Sequence, residues 1–288
     1  METSLKQSKT EVKIEGILSS KKLELTKDSK GGNVIKGTLV IKVDDINSIP
    51  VGVYATEYTT KGEINKAYAG IETVMKDYKP IAEVGEEAAD RIRTTADFNT
   101  YRTQNGVDVV NYRSNFFNRV TSNFEPKRKF SAEVYIESKS REIGSDQQET
   151  GRVKIKGIAP SYSGINILNM VCPVSNEFDE NFAETAYDLF EIGSTYKING
   201  EIVNSRVEKK VTAALGKVDG EVEYKNELVI TGSTPAYEEE IAYPTDAIKL
   251  AISEYVTSQT DRNNNAAKNE VPFDKKPTAA ASGRSLSW

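Results

Sequence analysis

The chain has 288 residues, with 38 Lys and Arg against 43 Asp and Glu, no histidine and one cysteine, for a net charge of −5 and a pI near 5.2. The lack of histidine excludes Ser-His-Asp and Cys-His nucleophile pairs, an imidazole general base and His-bearing zinc sites. The single Cys172 excludes an intrachain disulfide framework and a cysteine metal cluster, and fits a reducing cytoplasm; nothing in the composition asks for a cofactor or metal.

Residues 1 to 10 are polar, lack the apolar segment of a signal peptide and are expected to be flexible. The longest apolar stretches run to about six residues, far short of the roughly 20 needed to cross a bilayer, so no membrane partner is expected. From Glu11 to Val43 the chain reads as two strands separated by Asp28-Ser29-Lys30-Gly31-Gly32-Asn33, a run of turn formers. A third strand is expected over Ile49 to Tyr58, with Val51, Val53 and Ala55 on one face. Glu63 to Lys79 carries Ile64, Ala67, Tyr68, Ile71, Val74, Met75 and Tyr78 at helical spacing. Strands then return at Arg91 to Tyr101 and Val107 to Val120, separated by the hairpin signal Asn105-Gly106.

The order recurs from Lys129 onward: strands at Phe130 to Lys139, Arg152 to Ile158 and Ile165 to Val174, a short helix at Asn181 to Phe190, then strands at Thr195 to Asn204 and Glu227 to Thr231. Val34-Ile35-Lys36-Gly37 is echoed by Val153-Lys154-Ile155-Lys156-Gly157, about 120 residues later. Thr245 is a plausible N-cap for a last helix with Ile248, Ala251, Ile252, Tyr255 and Val256 on one face. Beyond Ser258 the composition turns to Asn, Ala, Ser, Lys and Pro without periodicity, which reads as a disordered tail.

Three strands, a helix and returning strands in roughly 110 residues is the order of the OB-fold, a five-stranded Greek-key barrel. The expected architecture is therefore mainly β with few helices: a flexible segment 1–10, OB-like barrels over 11–125 and 126–242, a helix over 243–259 and a disordered tail over 260–288. This order, with phrases such as Gly193-Ser194-Thr195-Tyr196-Lys197-Ile198-Asn199-Gly200-Glu201-Ile202, resembles the single-stranded DNA-binding proteins of bacteriophages. The resemblance implies a non-enzymatic partner of single-stranded DNA in replication or recombination, working in the host cytoplasm. It also implies that the C-terminal helix or tail docks replication or recombination proteins, although this tail lacks the net acidity that many such proteins carry there.

Local chemistry points the same way. Residues 91 to 141 hold seven of the eleven arginines and eight of the 24 aromatics, and the window carries +5 against −10 for the rest of the chain. Cations track phosphates, and ring faces stack on bases at roughly 1–3 kcal/mol each, whichever the base. The candidate binding residues are Arg91, Arg93, Tyr101, Arg102, Tyr112, Arg113, Phe117, Arg119, Lys127, Arg128, Lys139 and Arg141, with Tyr54, Tyr58 and Tyr162 behind them. Alternation over Val109 to Arg119 puts Arg113, Asn115, Phe117 and Arg119 on a face suited to a ligand, opposite Tyr112, Ser114, Phe116 and Asn118. The contiguous acids Asp44-Asp45, Glu86-Glu87 and Glu238-Glu239-Glu240 read as solvated loops before they read as Mg²⁺ sites. Two other functions compete: a self-associating β-barrel protein of a phage particle, and a carboxylate-based, Mg²⁺-dependent enzyme.

Overall fold

A computed structural model describes residues 5–29, 31–162, 164–209 and 221–269. Strands β1 (Thr10–Lys27), β2 (Asn33–Lys42) and β3 (Ser48–Thr56) lead to helices α1 (Lys66–Asp77) and α2 (Ile81–Val84), then to β4 (Arg91–Arg102), β5 (Asp108–Arg113) and the short β6 (Asn118–Arg119). The second half holds β7 (Lys127–Ile143), β8 (Glu149–Ser161), β9 (Gly164–Cys172), α3 (Phe182–Leu189), β10 (Thr195–Lys209), β11 (Glu221–Ser233) and α4 (Thr245–Asn269).

Pairing closes each half into a circuit of five strands. In the first, β1 pairs with β2 and β4, β2 with β3, β3 with β5 in parallel, and β5 with β4. In the second, β7 pairs with β8 and β10, β8 with β9, β9 with β11 in parallel, and β11 with β10. The order and the position of the one parallel pair coincide, so the repeated element order of the sequence is a repeated pairing order in space. The echoed phrases fall on equivalent strands, β2 and β8. Their glycines both face a close neighbour: a side chain on Gly37 would overlap the Lys22 carbonyl oxygen, and one on Gly157 would lie 2.8 Å from Met170 Cε.

The strands follow from alternation. Val12 and Ile14 are fully buried while Glu11 and Lys13 face out, and Ile92, Ala96 and Phe98 of β4 point inward between exposed Arg91, Arg93, Thr95 and Asp97. Helix α1 is capped by Asn65, whose Oδ1 accepts the Ala67 N–H at 3.0 Å, and it buries Ala67, Ile71 and Val74. Cys172 is fully buried on β9, and burial pushes its thiol up to about 12, so it serves as a small apolar residue.

The two circuits share one sheet because the N-terminal half of β1 pairs with both β4 and β7. Other ties reinforce the join. The Asn204 N–H donates to Asn47 Oδ1 at 3.2 Å, and the Thr100 hydroxyl and N–H both donate to Asn166 Oδ1 at 3.3 Å. Helix α4 packs Ile248 and Tyr255 against Tyr135, Ile158, Ile165 and Ile167, then reaches the other circuit, where Asn263 Nδ2 donates to the Arg102 carbonyl.

Three sequence expectations are corrected. The strand expected over Val107 to Val120 stops at Arg113, because the chain turns back after Ser114, whose Oγ accepts the Phe116 N–H at 3.2 Å and the Thr94 hydroxyl at 2.8 Å. The last helix does not end at 259 but continues through Asn269, replacing the start of the expected tail; residues 270–288 lie outside the described residues. Flexibility does not reach residue 10: Ser8 is buried, and its N–H donates to the Pro160 carbonyl at 2.8 Å. No helix among the described residues is long and apolar enough to cross a membrane.

Gly200 tests the packing where β7 and β10 meet. A Cβ there would lie 2.5 Å from Phe130 Cζ, and Phe130 is itself buried. Gly200→Ala is expected to cost about 1–3 kcal/mol of unfolding free energy, read by denaturant titration; an unchanged midpoint would contradict this packing.

Candidate nucleic-acid interface

Folding redistributes the charge that the sequence concentrates between residues 91 and 141. Most of the arginines meet acids supplied from outside that window. Arg93 Nε donates to Glu15 Oε2 at 2.6 Å. Arg119 holds Asp90 through two bonds of 2.9 and 3.0 Å, donates to the Asp77 carbonyl and stacks 4.3 Å from the Tyr78 ring. Arg128 lies 3.0 Å from Glu201 and 3.5 Å from Asp44 and donates to the Ile202 carbonyl, while Arg141 grips Glu184 with both guanidinium arms. Arg102 makes a two-bond pair with Asp108 at 2.7 and 2.8 Å. Lys139 donates to the Tyr187 carbonyl, Lys127 pairs with Glu125 at 2.8 Å, and Arg91 lies 5.0 Å over the Phe124 ring. These side chains join strands to loops and helices, work that a charge-assisted or two-bond contact does well.

Two aromatic candidates are corrected. Tyr112 is 2% exposed, its ring is 6.1 Å from Phe98, and burial pushes its phenol upward. Phe117 is also buried, beside Tyr78, whose hydroxyl donates to the Phe117 carbonyl at 2.9 Å. Neither ring is available for stacking. Tyr112 lies on the inward face of β5, opposite Arg113; for Phe117 the cause is the turn that follows Ser114, which breaks alternation, so Phe117 enters the core and Phe116 becomes 65% exposed.

Arg113 remains. It is exposed on β5 and makes no ion pair or hydrogen bond among the described residues. In the ladder it lies between Asp97 of β4 and Gly52 of β3, with Thr38 of β2 beyond. Because Gly52 carries no side chain, an open groove of about 380 Å³ runs across β2, β3 and β5, with Arg113 as its one charged lining residue among those described and Thr38, Asn99, Asn111 and Tyr54 around it. Tyr54 is 45% exposed at one end. Its backbone is held by Asn115, whose side chain accepts the Tyr54 N–H at 3.2 Å and donates to the Tyr54 carbonyl at 2.9 Å, extending the ladder past Arg113. Phe116 follows directly. Tyr101 is exposed on the same outward row of β4 as Asn99.

At Asn99 and Arg113 the groove meets a second one of about 520 Å³ between β4, the β8–β9 turn and α4. Tyr162, almost wholly exposed in that turn, stands on its rim. The structure thus places Tyr54 and Tyr162 on two grooves that share Arg113, leaves Phe116 exposed on the segment after β5, and places Arg119, Arg128, Lys139 and Arg141 in separate structural contacts. Gly52, Asn99, Asn111 and Phe116 escape sequence reasoning; the isolated glycine in Val51-Gly52-Val53 is the available signal, since a glycine inside a strand marks a close approach.

The outward groove, with Arg113 outside any ion pair among the described residues and Tyr54 exposed at its end, is carried on one of two like five-strand circuits of a β-rich protein. The sequence profile of the YorF family matches residues 9–270, and the chain belongs to the YorF family. A comparison with curated protein sequences found no match. Among solved structures, the wild-type single-stranded DNA binding protein from Thermus aquaticus is similar with a TM-score of 0.49 and 8% identity, over 81% of this chain and 95% of that one. A deletion variant of the same Thermus aquaticus protein gives 0.47 and 9%, over 81% and 97%.

Glu15 shows how deeply the neutralised charges are built in. Its side chain is 1% exposed, between Arg93 and Lys127 in the ladder. Burial raises its carboxyl, but hydrogen bonds from Arg93 and the Glu125 N–H, with the charges of Arg93 and Lys127, outweigh this and hold it below the ordinary value. A depressed carboxyl contributes stability that is present above the unfolded value of about 4.3 and lost as pH falls through the lower folded value. Glu15→Gln is expected to lower Tm at neutral pH and to flatten the fall of Tm on acidification; parallel acid limbs in variant and wild type would contradict this. Arg113→Ala is expected to change stability by no more than about 0.5 kcal/mol, whereas Arg119→Ala lowers Tm clearly. Calorimetry of the two side by side checks the division between structural and free arginines.

Proposed function

We propose that this protein is a non-enzymatic binder of single-stranded DNA, acting in replication or recombination, and that its two circuits are OB-like barrels of which the first supplies the main groove. The observation that carries the reading is the meeting of Arg113 with exposed Tyr54 around a groove left open by Gly52, with Phe116 exposed on the segment that follows β5. A single strand needs both a cation for its phosphates and ring faces for its bases, and both stand here unengaged by other described residues. The repeated order of three strands, helix and two strands, with the groove on the second, third and fifth strands of the first circuit, fits the ligand face of that barrel type. An acidic chain suits this role, because negative charge elsewhere limits indiscriminate adhesion to nucleic acid. Of the candidates drawn from the sequence, Arg113 and Tyr101 stay in the proposed interface, and Arg91 and Lys127 flank it as lesser contacts. In this reading the protein works in a cytoplasm, for a phage that of its host, and α4 is the surface for protein partners.

Gly52 offers a test that separates binding from folding. Its backbone conformation is not left-handed, and a Cβ there meets only the Tyr112 carbonyl oxygen, at an ordinary 3.5 Å, so a larger residue fills the groove without strain. Fluorescence anisotropy with labelled oligo-dT of about 30 nucleotides is expected to show salt-sensitive binding that is weak for the matching duplex. Gly52→Phe is expected to abolish it, and Tyr54→Ala to cost about 1–3 kcal/mol, roughly five- to 150-fold in Kd. Wild-type protein that ignores oligo-dT at low salt would overturn the reading.

A further inference from the structure

We propose that the second groove, between β4, the β8–β9 turn and α4, reads one base of the bound strand and that this base is guanine; this rests on the single-strand reading above. The starting point is the contrast in how polar groups are used. Elsewhere on the first circuit Arg93 and Arg119 are tied to acids, and Arg91 lies over the Phe124 ring. In this groove Asp97, Arg113, Glu254 and Arg262 all line the wall, and none makes an ion pair or hydrogen bond among the described residues. Gln259 joins them. It is 7% exposed, and its carbonyl oxygen accepts the Arg102 N–H at 3.5 Å, which leaves its NH₂ without a partner among the described residues. The four charged side chains are exposed, so a groove that gathers donors and acceptors of both signs without pairing them to one another can offer both to a ligand.

The chemistry of the lining selects the ligand. A bare phosphate would meet Arg113 and Arg262 but be repelled by Asp97 and Glu254, and a stacking platform alone needs no carboxylate. An unstacked base with its edge turned inward uses all of them. Guanine alone presents an imino N–H and an amino group side by side on that edge, and one carboxylate accepts both. Adenine and cytosine offer an amino group only, and thymine a single imino N–H. Asp97 is the better placed reader, because it is fixed in the ladder directly opposite Arg113. Arg113 and Arg262 then neutralise the flanking phosphates, and Tyr162 on the rim supplies a face for stacking.

The test compares short oligo-dT with the same oligonucleotide carrying one central guanine, inosine, adenine or cytosine, by anisotropy competition with the full chain. The guanine oligonucleotide is expected to bind about tenfold tighter than oligo-dT, the step that a two-bond base contact supplies. Inosine, which lacks the amino group, is expected to fall between them, and in Asp97→Asn the ratio is expected to drop to about one. Equal affinities in the wild type, preference for another base, or a ratio unchanged in Asp97→Asn would each overturn the proposal while leaving single-strand binding intact. Binding to none of the oligonucleotides would remove the single-strand reading and this proposal together.

Discussion

The segment Val12–Glu15 is paired on both sides, and the rest of the structure depends on that. Val12 lies between Ala96 of β4 and Phe130 of β7, and Glu15 between Arg93 and Lys127. A strand paired on both edges has no freedom to slip, since a one-residue shift would turn Val12 and Ile14 out of the core and Glu11 and Lys13 into it. The constraint closes the first circuit and attaches the second to it with a fixed register. It also explains why Glu15 must have a cation beside it: its place in the ladder removes its carboxylate from water, and the guanidinium of Arg93 is the compensation.

That compensation recurs across the molecule and decides what its arginines are for. A chain of many strands and connecting loops has few apolar residues to spare outside its core, and two-bond arginine contacts fasten loops and helix ends instead. Asp90 after α2 is fastened by Arg119, Glu184 of α3 by Arg141, and the turn at Asp44 by Arg128. Asp44 is occupied further by the Ile46 and Asn47 N–H groups, so this acid pair belongs to a turn. Once these contacts are made, a cation left without an acid is conspicuous. Among the described residues Arg113 is such a cation, and it stands in an open groove with Tyr54 exposed at its end.

The fold was more legible than the site. Strand and helix order, the turn at Asn105-Gly106, the Gly37 and Gly157 phrases and the start of α4 at Thr245 are all written in local periodicity and turn chemistry, which act over a few residues. Local signals also fail at identifiable points. Nothing in Tyr112-Arg113-Ser114-Asn115-Phe116-Phe117 announces that the chain turns after Ser114, whose Oγ accepts the Phe116 N–H, so the exposed and buried phenylalanines are exchanged. Composition near the C-terminus argues for disorder, yet Asn263 finds the Arg102 carbonyl and the helix persists. The binding candidates suffered most, because charge counted along the chain is not charge in space. Glu15, Asp90 and Glu184 lie outside the basic window in sequence and against its arginines in the fold. Tyr54 and Tyr162, far apart in sequence, stand on two grooves that share Arg113.

The central claim is that the outward face around Gly52 and Arg113 is where a single strand lies. Ultraviolet cross-linking of the full chain to oligo-dT, followed by mass-spectrometric mapping of the modified residues, tests it without altering the protein. The account predicts adducts at Tyr54 and Phe116, with Tyr162 next, and none at Tyr112 or Phe117. Adducts confined to other exposed aromatics, such as Phe178 or Tyr224 on the second circuit, would contradict it.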